Sequence, residues 1–549
     1  MSETLADREI SRGQSSRLLT CLEIAAVSLA AWAFYVGLHG ELPFHDVARF
    51  VGQIQTDRPV WDIGHIYMQP ATLFWHRHLG FGGSAEASQK AINAVAAALS
   101  AGVFAAILLR LNIQLWQRIL AVALLVGSCS MVTLAPSGHM KLLAAPFLAG
   151  ALYFALAWEQ GRAAPSPAPD RRDLVLSAIF LALAASLLAS SLATAPFVTV
   201  LAIIVARRTG DEWRTAVTTG VVFAAVCGLV FTGLVCLGFL LIAGQPLSLN
   251  ALTGSVALKA GLLSQAVSPT TRVLRSVFSS VNNFAATPDF GSLARAWLGR
   301  EVPTLTPYAG VLARNLIPFV ATLGLLIAIY VKAGMQMLRG ATVFTPIAFL
   351  LGAQAWGLYC TLNDPEHWFL ATAPTIVLFI ICFSASARRL ILPVWSIATV
   401  ALNLWVIGIP TKLYPMSMYQ AELTKSLTQR DLLVHFAAYP GGQNIEFFSL
   451  PVPQHLVLDQ VLLQDGNVDA NYAQARHVID TGLQTGGKVL AFDVLSPKRW
   501  DAPWPDLKAH GIGKAKLLAL LRQDYCIRQL PDMAEIPTWQ LLPRPSCAP

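Results

Sequence analysis

Charged residues are scarce in this sequence. Only 13% of the 549 residues are Asp, Glu, Lys or Arg, whereas 55% are hydrophobic. An ordinary soluble domain has roughly a quarter charged residues, so this composition excludes a typical soluble protein. Apolar runs of about 20 residues, long enough to cross a hydrocarbon core as helices, recur along most of the chain. The sequence therefore predicts an integral membrane protein.

Motifs that would indicate other classes of protein are also missing. The eight Cys form no CxxC pair and no Cys/His spacing typical of a metal site. There is neither a glycine-rich nucleotide loop nor a P-loop. The net charge of +8 comes from small groups of Lys and Arg between apolar runs, which is the positive-inside pattern, so nucleic acid is not an expected partner. The first apolar run follows a polar start and lacks a convincing cleavage site, so we expect it to be retained.

The apolar runs predict an all-α polytopic membrane bundle of about eleven transmembrane helices, within residues 1–410. A tenth span ends before Arg388, and the others are expected at about 18–39, 91–109, 118–134, 142–158, 173–189, 192–206, 216–242, 316–331, 343–361 and 390–409. The polar N-terminus is rich in Arg, and each predicted inner loop carries Lys or Arg, so we place the N-terminus in the cytoplasm. Residues 41–90 and 244–315 then form large outer loops.

Residues 411–549 differ from the rest of the chain because they contain no further spanning run. They are predicted to form a small soluble α/β domain on the outer side of the membrane. Within it, NYAQARHVIDTGLQTGGKVLAFDVL predicts an amphipathic helix, a Gly486-Gly487 turn and a strand from Lys488 to Leu495. KAKLLALLRQDY predicts a second helix and PTWQLLPR a short strand. In an oxidising compartment Cys526 and Cys547 could form a disulfide.

The loop 244–315 contains a segment with helical periodicity. Its apolar residues recur near every 3.6 positions and are Val273, Leu274, Val277, Phe278, Val281 and Phe284. This pattern predicts an amphipathic helix lying at the membrane interface. The same pattern fits a helix packed within the loop, and the sequence does not choose between them.

The stretch 41–90 holds an unusual concentration of ionisable residues between two apolar segments. They are His45, His65, His76, His78, Asp46, Asp57, Asp62, Arg49, Arg58 and Arg77. Two further outer turns are also rich in ionisable residues, SGHMK at 137–141 and NDPEHW at 363–368. Ionisable residues near lipid are costly and tend to be functional, paired or water-facing. If the spans form one bundle, these three segments share its outer face.

A carboxylate beside several cations suits the transfer of a group off a phosphate. A carboxylate that accepts the proton of a sugar hydroxyl makes it a nucleophile, while cations stabilise the departing phosphate. Asp46 suits the first task, and His139, Lys141, His367 or an Arg of the long loop suits the second. The other candidates for substrate contact are His45, Asp62, His65, Tyr67 and Glu366.

Most of these residues also have a structural interpretation. Asp46 is a good N-cap for a helix that starts near Val47, and Asp62 could make an Asx-turn before Gly64. His139 and Lys141 could be interfacial anchors that extend to lipid head groups. Glu366 and His367 could pair with each other. No set of residues predicts a metal site, although a divalent metal is compatible with this chemistry.

Two stretches resemble the first outer loop of GT-C glycosyltransferases that use polyprenyl-phosphate sugars, the type that includes mannosyl- and aminoarabinosyl-transferases. They are HDVARFVGQIQ and WDIGHIYMQPATLFWHRHLGFGGSAEASQKAINAVAAAL. Asp46 matches the acidic position of that family, and Gly64, His65, Tyr67 and Pro70 match its second segment. NDPEHWFLATAPTIVLF resembles the late outer turn, but the family often has Arg near an acidic residue where this chain has Glu366 and His367.

The resemblance implies a helical bundle with a lipid-facing cavity and an outer C-terminal domain. The implied donor is a polyprenyl-phosphate-linked sugar, with Asp46 as general base, inversion at the anomeric carbon, and a glycan, lipid or protein acceptor in the cell envelope. A bacterial inner membrane is the expected location. Two other functions remain open at this point: a transporter or flippase for an anionic lipid or glycan, and a glycan ligase or polymerase that uses a diphosphate-linked donor.

Overall fold

The computed structural model of the chain consists of two compact units. The residues it describes are 3–39, 65–80, 83–163, 171–243, 269–286, 309–338, 343–359, 369–409, 425, 427, 428, 430–435, 454–462, 468–492, 494, 514–533 and 538–544. The described residues up to 409 form a helical unit, and those from 425 onward form a unit built on a sheet. Each is described by itself.

The helical unit contains fourteen α-helices among its described residues. They are α1 Glu3–Gly37, α2 Met68–Leu79, α3 Ala85–Arg110, α4 Leu115–Val126, α5 Cys129–Ser137, α6 Ala145–Arg162, α7 Arg172–Leu187, α8 Ala195–Arg208, α9 Trp213–Gly238, α10 Pro269–Asn282, α11 Ala309–Leu338, α12 Phe344–Tyr359, α13 Thr372–Cys382 and α14 Ala385–Asn403. Short 3₁₀ helices lead into three of them, at Met140–Ala144 before α6, Ala189–Thr194 before α8 and Phe369–Ala371 before α13.

Among the residues that the structure describes, seven helical segments are long and apolar enough to cross a membrane: Leu18–Gly37, Ala85–Arg110, Met140–Arg162, Ala189–Arg208, Trp213–Ile242, Asn315–Leu338 and Ala385–Gly408. The bent pair α4 and α5 makes an eighth if it is one span. Helices also lie at the other predicted spans, but α7, α12 and α13 are shorter. An apolar helical membrane unit is therefore confirmed, and the count of eleven spans stays a prediction.

The third predicted span, at 118–134, corresponds to the bent pair of helices α4 and α5 and is not one straight helix. Helices α4 and α5 meet at an angle of 61° at Gly127 and Ser128. The side chain of Asn403 lies at this break. It donates to the carbonyls of Gly127 at 2.7 Å and of Phe284 at 2.6 Å, and accepts from the amide of Ala286 at 2.8 Å. Backbone groups that the break leaves without helical partners are thus satisfied inside the bundle.

Helix α10 confirms the helical periodicity predicted after residue 273. The segment after it is buried in the bundle: Phe284 accepts a hydrogen bond of 3.1 Å from the amide of Cys129, and Asn283 accepts one of 3.2 Å from that of Ser130. The helix presents Val273 outward, with 54% of its surface exposed, whereas Val281 is fully buried. One end of α10 is therefore packed, and the apolar surface at the other end is exposed as an interfacial helix requires.

The start of α12 is held by a carboxylate from α6. The side chain of Glu159, which is almost fully buried, accepts hydrogen bonds of 3.1 and 3.0 Å from the amides of Phe344 and Thr345. The first amides of a helix have no partner within it and carry partial positive charge, so a carboxylate is a favourable cap. This contact ties two segments 185 residues apart.

The sheet unit contains a five-stranded sheet in the order β2-β1-β3-β5-β4. Its elements are β1 Leu432–His435, β2 Gln454–Val457, α15 Leu458–Leu462, α16 Val468–Gln484, β3 Val489–Phe492, α17 Lys514–Asp524, β4 Tyr525–Gln529 and β5 Thr538–Pro543. Strand β1 pairs in parallel with β2 and β3, whereas β5 pairs antiparallel with β3 and β4. Helices α16 and α17 and strands β3 and β5 confirm the predicted elements. Gly486 has a positive φ of 76°, as a left-handed turn requires.

Six of the eight cysteines lie among the described residues. Cys21, Cys129, Cys227, Cys236 and Cys382 are free thiols. Cys526, at the start of β4, is disulfide-bonded. Its partner lies outside the described residues, as does Cys547, so the pairing of these two cysteines stays a prediction.

Candidate functional site

Three basic residues lie where the first turns of α3 meet the end of α5 and the 3₁₀ helix that follows it. Gln89 donates a hydrogen bond of 2.8 Å to the carbonyl of Gly138, and Asn93 donates one of 2.8 Å to that of Leu134. Gly138 ends α5 in a left-handed conformation, with φ of 77°, and a Cβ there would lie 3.2 Å from Cγ of Lys90. Glycine thus allows the chain to turn close beside α3.

The turn after Gly138 carries two of the predicted site residues. His139 and Lys141 flank the start of the 3₁₀ helix Met140–Ala144, and only 2% and 4% of their surfaces are exposed. Their alternative interpretation as anchors that extend to lipid head groups is therefore wrong, because both side chains lie inside the protein. Together with Lys90, which is 8% exposed, they form what we call the basic cluster: Lys90, His139 and Lys141.

Among the described residues, one acidic side chain forms an ion pair with the basic cluster. Glu86, one helical turn before Lys90, forms an ion pair with its ammonium group. Ser84 caps α3 by accepting from the amide of Ala87 at 3.1 Å. Helix α3 begins at Ala85, so Lys90, at the end of the predicted outer loop, belongs to the helix.

His39 follows α1, and the charge of Lys90 in the basic cluster affects the pKa of its imidazole. Burial, and secondly the charge of Lys90, lower the pKa of its imidazole to about 4. The ring is therefore neutral near pH 7. Its Nε2 is buried and has no hydrogen-bond partner within the part of the chain that the structure describes. A neutral imidazole in this position can accept a proton or a hydrogen bond.

Tyr67 lies just before α2, and both its backbone amide and its side-chain hydroxyl form hydrogen bonds. Its amide donates to the carbonyl of Ser186 at 3.3 Å, and its hydroxyl donates to that of Leu234 at 2.8 Å. Burial raises the pKa of this hydroxyl. His65 precedes it on the same turn, and its carbonyl accepts from the amide of Met68 at 3.4 Å.

Tyr67 also lines an apolar pocket of about 420 Å³. The other walls come from α2, α3, α6, α7 and α9, and from Leu143 of the 3₁₀ helix that carries Lys141. This volume lies within the range of roughly 300–1,000 Å³ that is typical of small-molecule sites. We call it the Tyr67 pocket. One short helix thus contributes a buried ammonium group and a wall of an apolar pocket.

The remaining predicted site residues cannot be placed in this arrangement. His45, Asp46 and Asp62 lie outside the described residues, and so do Glu366 and His367. Lys90 and His39 were not predicted as site residues. Lys90 had a signal in the sequence, since a Lys four residues after Glu86 beside an apolar run indicates an i,i+4 pair at a helix start. Across the described ranges, no group of three or more His, Cys, Asp or Glu could hold a metal ion.

The sequence matches no protein-family model and no curated protein. Solved structures do resemble the chain. It aligns with the Archaeoglobus fulgidus oligosaccharyltransferase in complex with Zn and sulfate at a TM-score of 0.51 and 13% identity, over 91% of this chain and 72% of that one. It also aligns with ArnT from Cupriavidus metallidurans bound to undecaprenyl phosphate, at a TM-score of 0.43 and 11% identity, over 95% and 97% of the two chains. The likeness to the oligosaccharyltransferase shows that the chain shares its fold.

Proposed function

We propose that this protein is a glycosyltransferase that moves a sugar from a polyprenyl-phosphate donor to a glycan, lipid or protein acceptor of the cell envelope. The observation that carries the proposal is the 3₁₀ helix Met140–Ala144, which joins the basic cluster to the Tyr67 pocket. A polyprenyl phosphate has a matching pair of parts, an anionic head and an apolar chain. The shared GT-C fold supports the same function.

In this proposal the basic cluster binds the phosphate. Lys141 and His139 stabilise the negative charge that develops as the bond to the sugar breaks, and their burial strengthens this interaction because water screens it less. The polyprenyl chain occupies the Tyr67 pocket. Asp46 accepts the proton of the acceptor hydroxyl, whose oxygen forms the new bond to the anomeric carbon as the phosphate leaves with the bonding electrons. A single displacement of this kind inverts the anomeric configuration.

The other predicted site residues have supporting roles in this proposal. His45, Asp62, His65 and Tyr67 contact the sugar or its phosphate from the first loop, and Glu366 and His367 contact them from the late turn. Residues 1–410 form the catalytic module, with the N-terminus in the cytoplasm of a bacterial inner membrane. Residues 411–549 form an extracytoplasmic domain. A divalent metal remains compatible with the reaction, as stated for the sequence.

The test replaces Asp46 with Asn and measures sugar transfer from a defined polyprenyl-phosphate sugar to envelope acceptors. We expect a loss of turnover on the order of 100-fold or more, since general-base catalysis contributes typically 10²–10⁴-fold. Asp173→Asn, at the first turn of α7, is the matched control and should retain activity. Undiminished turnover of a folded Asp46→Asn variant would exclude Asp46 as the base.

The same reconstituted system separates the competing functions. A transporter should move the lipid-linked sugar across vesicles without a covalent product, and it is expected to carry charges near the middle of its spans. Here Lys90 lies in the second turn of α3, near one end of a helix of 26 residues. Mass spectrometry of the consumed donor distinguishes a monophosphate from a diphosphate leaving group, which separates the proposed transferase from a ligase or polymerase.

A further inference from the structure

Helices α1 and α4 face each other across an apolar slot of about 480 Å³. The residues of α1 that line it recur at three- and four-residue spacing from Glu23 to Phe34, and those of α4 recur in the same way from Leu115 to Val126. Each helix therefore turns one continuous stripe to the slot. Each stripe covers twelve residues, so its first and last Cα atoms lie about 16 Å apart along the helix at a rise of 1.5 Å per residue.

Two polar interactions bridge the helices at opposite ends of this slot. At one end the carboxylate of Glu23 accepts two hydrogen bonds of 2.7 Å from Arg118, one from Nε and one from Nη2. At the other end the hydroxyl of Tyr35 donates to the carbonyl of Val126 at 3.0 Å. Between these bridges the walls carry small side chains, among them Ala26, Ala30 and Ala123. Such residues normally let helices approach closely, yet here a space remains between them.

The Glu23–Arg118 end of the slot lies near the far end of α3 from the basic cluster. Lys90 is near the start of α3, whereas α3 ends at Arg110 and the chain then enters α4 a few residues before Arg118. A helix of 26 residues is about 39 Å long. The Glu23–Arg118 end of the slot is therefore separate from the candidate site for the sugar donor.

We propose that the slot binds an acyl chain of a membrane phospholipid, with the lipid phosphate at Arg118. Both walls belong to helices that are apolar enough to take part in membrane spans, α4 as half of the bent pair. An apolar space stays dry, and hydrocarbon chains are the apolar molecules that a bilayer supplies to fill it. The guanidinium of Arg118 has five N–H groups, of which two donate to Glu23 and one to the carbonyl of Ile113. Two remain to donate to phosphate oxygens, which suits a phospholipid head group. This proposal does not depend on the proposed enzymatic activity.

The experiment uses the full-length protein in vesicles of phosphatidylethanolamine and phosphatidylglycerol. A phosphatidylglycerol with a photoactivatable group on its acyl chain is crosslinked, and labelled peptides are identified by mass spectrometry. We expect label on the facing stripes of α1 and α4. Ala30→Phe fills the slot and should reduce this label at least fivefold, whereas Leu29→Phe, next to it on the exposed side of α1, should change it less than twofold. Unchanged labelling in Ala30→Phe would overturn the proposal.

A second variant and a lipid competition experiment complete the test. Ile119→Phe fills the slot from the α4 wall and replaces Ala30→Phe if that variant does not fold. Unlabelled phosphatidylglycerol should compete with the label at least fivefold better than diacylglycerol, which has the chains but no phosphate. Equal competition by the two would mean a general lipid contact without a phosphate site. Stronger competition by a polyprenyl phosphate than by the phospholipid would assign the slot to the sugar donor and overturn the proposed occupant.

Discussion

The side chain of Asn403 donates a hydrogen bond of 2.7 Å to the carbonyl of Gly127, which lies 276 residues earlier in the chain. The same side chain also donates to the carbonyl of Phe284 and accepts from the backbone amide of Ala286. The carboxamide of Asn403 thus joins α14, the break between α4 and α5, and the segment after α10. Asn283 reinforces this junction, because its Oδ1 accepts from the hydroxyls of Ser130 at 2.6 Å and Thr372 at 2.9 Å.

Asn403→Leu should destabilise the helical unit strongly. Leu has a similar size but leaves two buried carbonyls and one buried amide without their partner, and each such group costs about 1–3 kcal/mol. We expect a loss of roughly 3 kcal/mol or more, measured as a lower midpoint of thermal unfolding in detergent. Thr218→Val is the control, because this exposed hydroxyl bonds only within its own helix. Equal midpoints for Asn403→Leu and the wild type would contradict the assigned role.

Stability should fall with acidification through the titration of His39. Its pKa is lowered to about 4 in the folded protein, whereas the ordinary value is about 6.5. The unfolded chain then binds more protons between these values, so stability is constant above about pH 6.5 and decreases as the pH falls toward 4. His39→Gln should reduce the number of protons taken up on unfolding between about pH 4 and 6.5 by up to one. The free energy of unfolding, measured at a series of pH values, gives this number from its slope. His477→Gln, an exposed position on α16, provides the comparison, and an identical pH dependence for both variants would refute the prediction.

Lys141→Met should reduce sugar transfer if the basic cluster binds the donor phosphate. A hydrogen bond to a charged group contributes about 1.5–3 kcal/mol, so we expect a decrease on the order of 10- to 100-fold in kcat/KM for the donor. Lys141→Arg should recover part of the activity because it keeps the charge. Lys332→Met, which removes a lysine stacked 4.1 Å from the ring of Phe383, should leave transfer unaffected. A result in which both Met variants lose activity equally would point to a general loss of folding.

Cys526 should be linked to Cys547. Nonreducing digestion and mass spectrometry of the full-length protein should detect a peptide pair that contains both, and reduction should release it. A bond that closes a loop of about this length stabilises by about 3 kcal/mol, so Cys526→Ser should lower the unfolding midpoint. Cys21→Ser, at a free and exposed thiol, should not. Recovery of Cys526 in a different crosslinked peptide would show that the predicted pairing is wrong.

Local patterns in the sequence were sufficient for the elements whose formation depends on nearby residues. Long apolar runs predicted the spanning helices because a backbone in hydrocarbon must satisfy its hydrogen bonds internally. The 3.6-residue period before residue 283 predicted α10, and the Gly486-Gly487 turn between periodic segments predicted the end of α16 and the start of β3. Asp46 and its neighbours were likewise identified from composition and family resemblance, and their roles remain predictions.

Only the tertiary structure decided which polar residues are inside the bundle. Nothing local to His139 and Lys141 distinguishes a buried turn from an exposed one, because their burial comes from α3 packing against the end of α5. The break at Gly127 is likewise stabilised by Asn403, and the slot between α1 and α4 is bounded by Glu23 and Arg118, 95 residues apart. The sequence by itself thus determined the apolar helices and the elements α16, β3, α17 and β5, whereas contacts between distant segments determined the basic cluster, the Tyr67 pocket and the slot between α1 and α4.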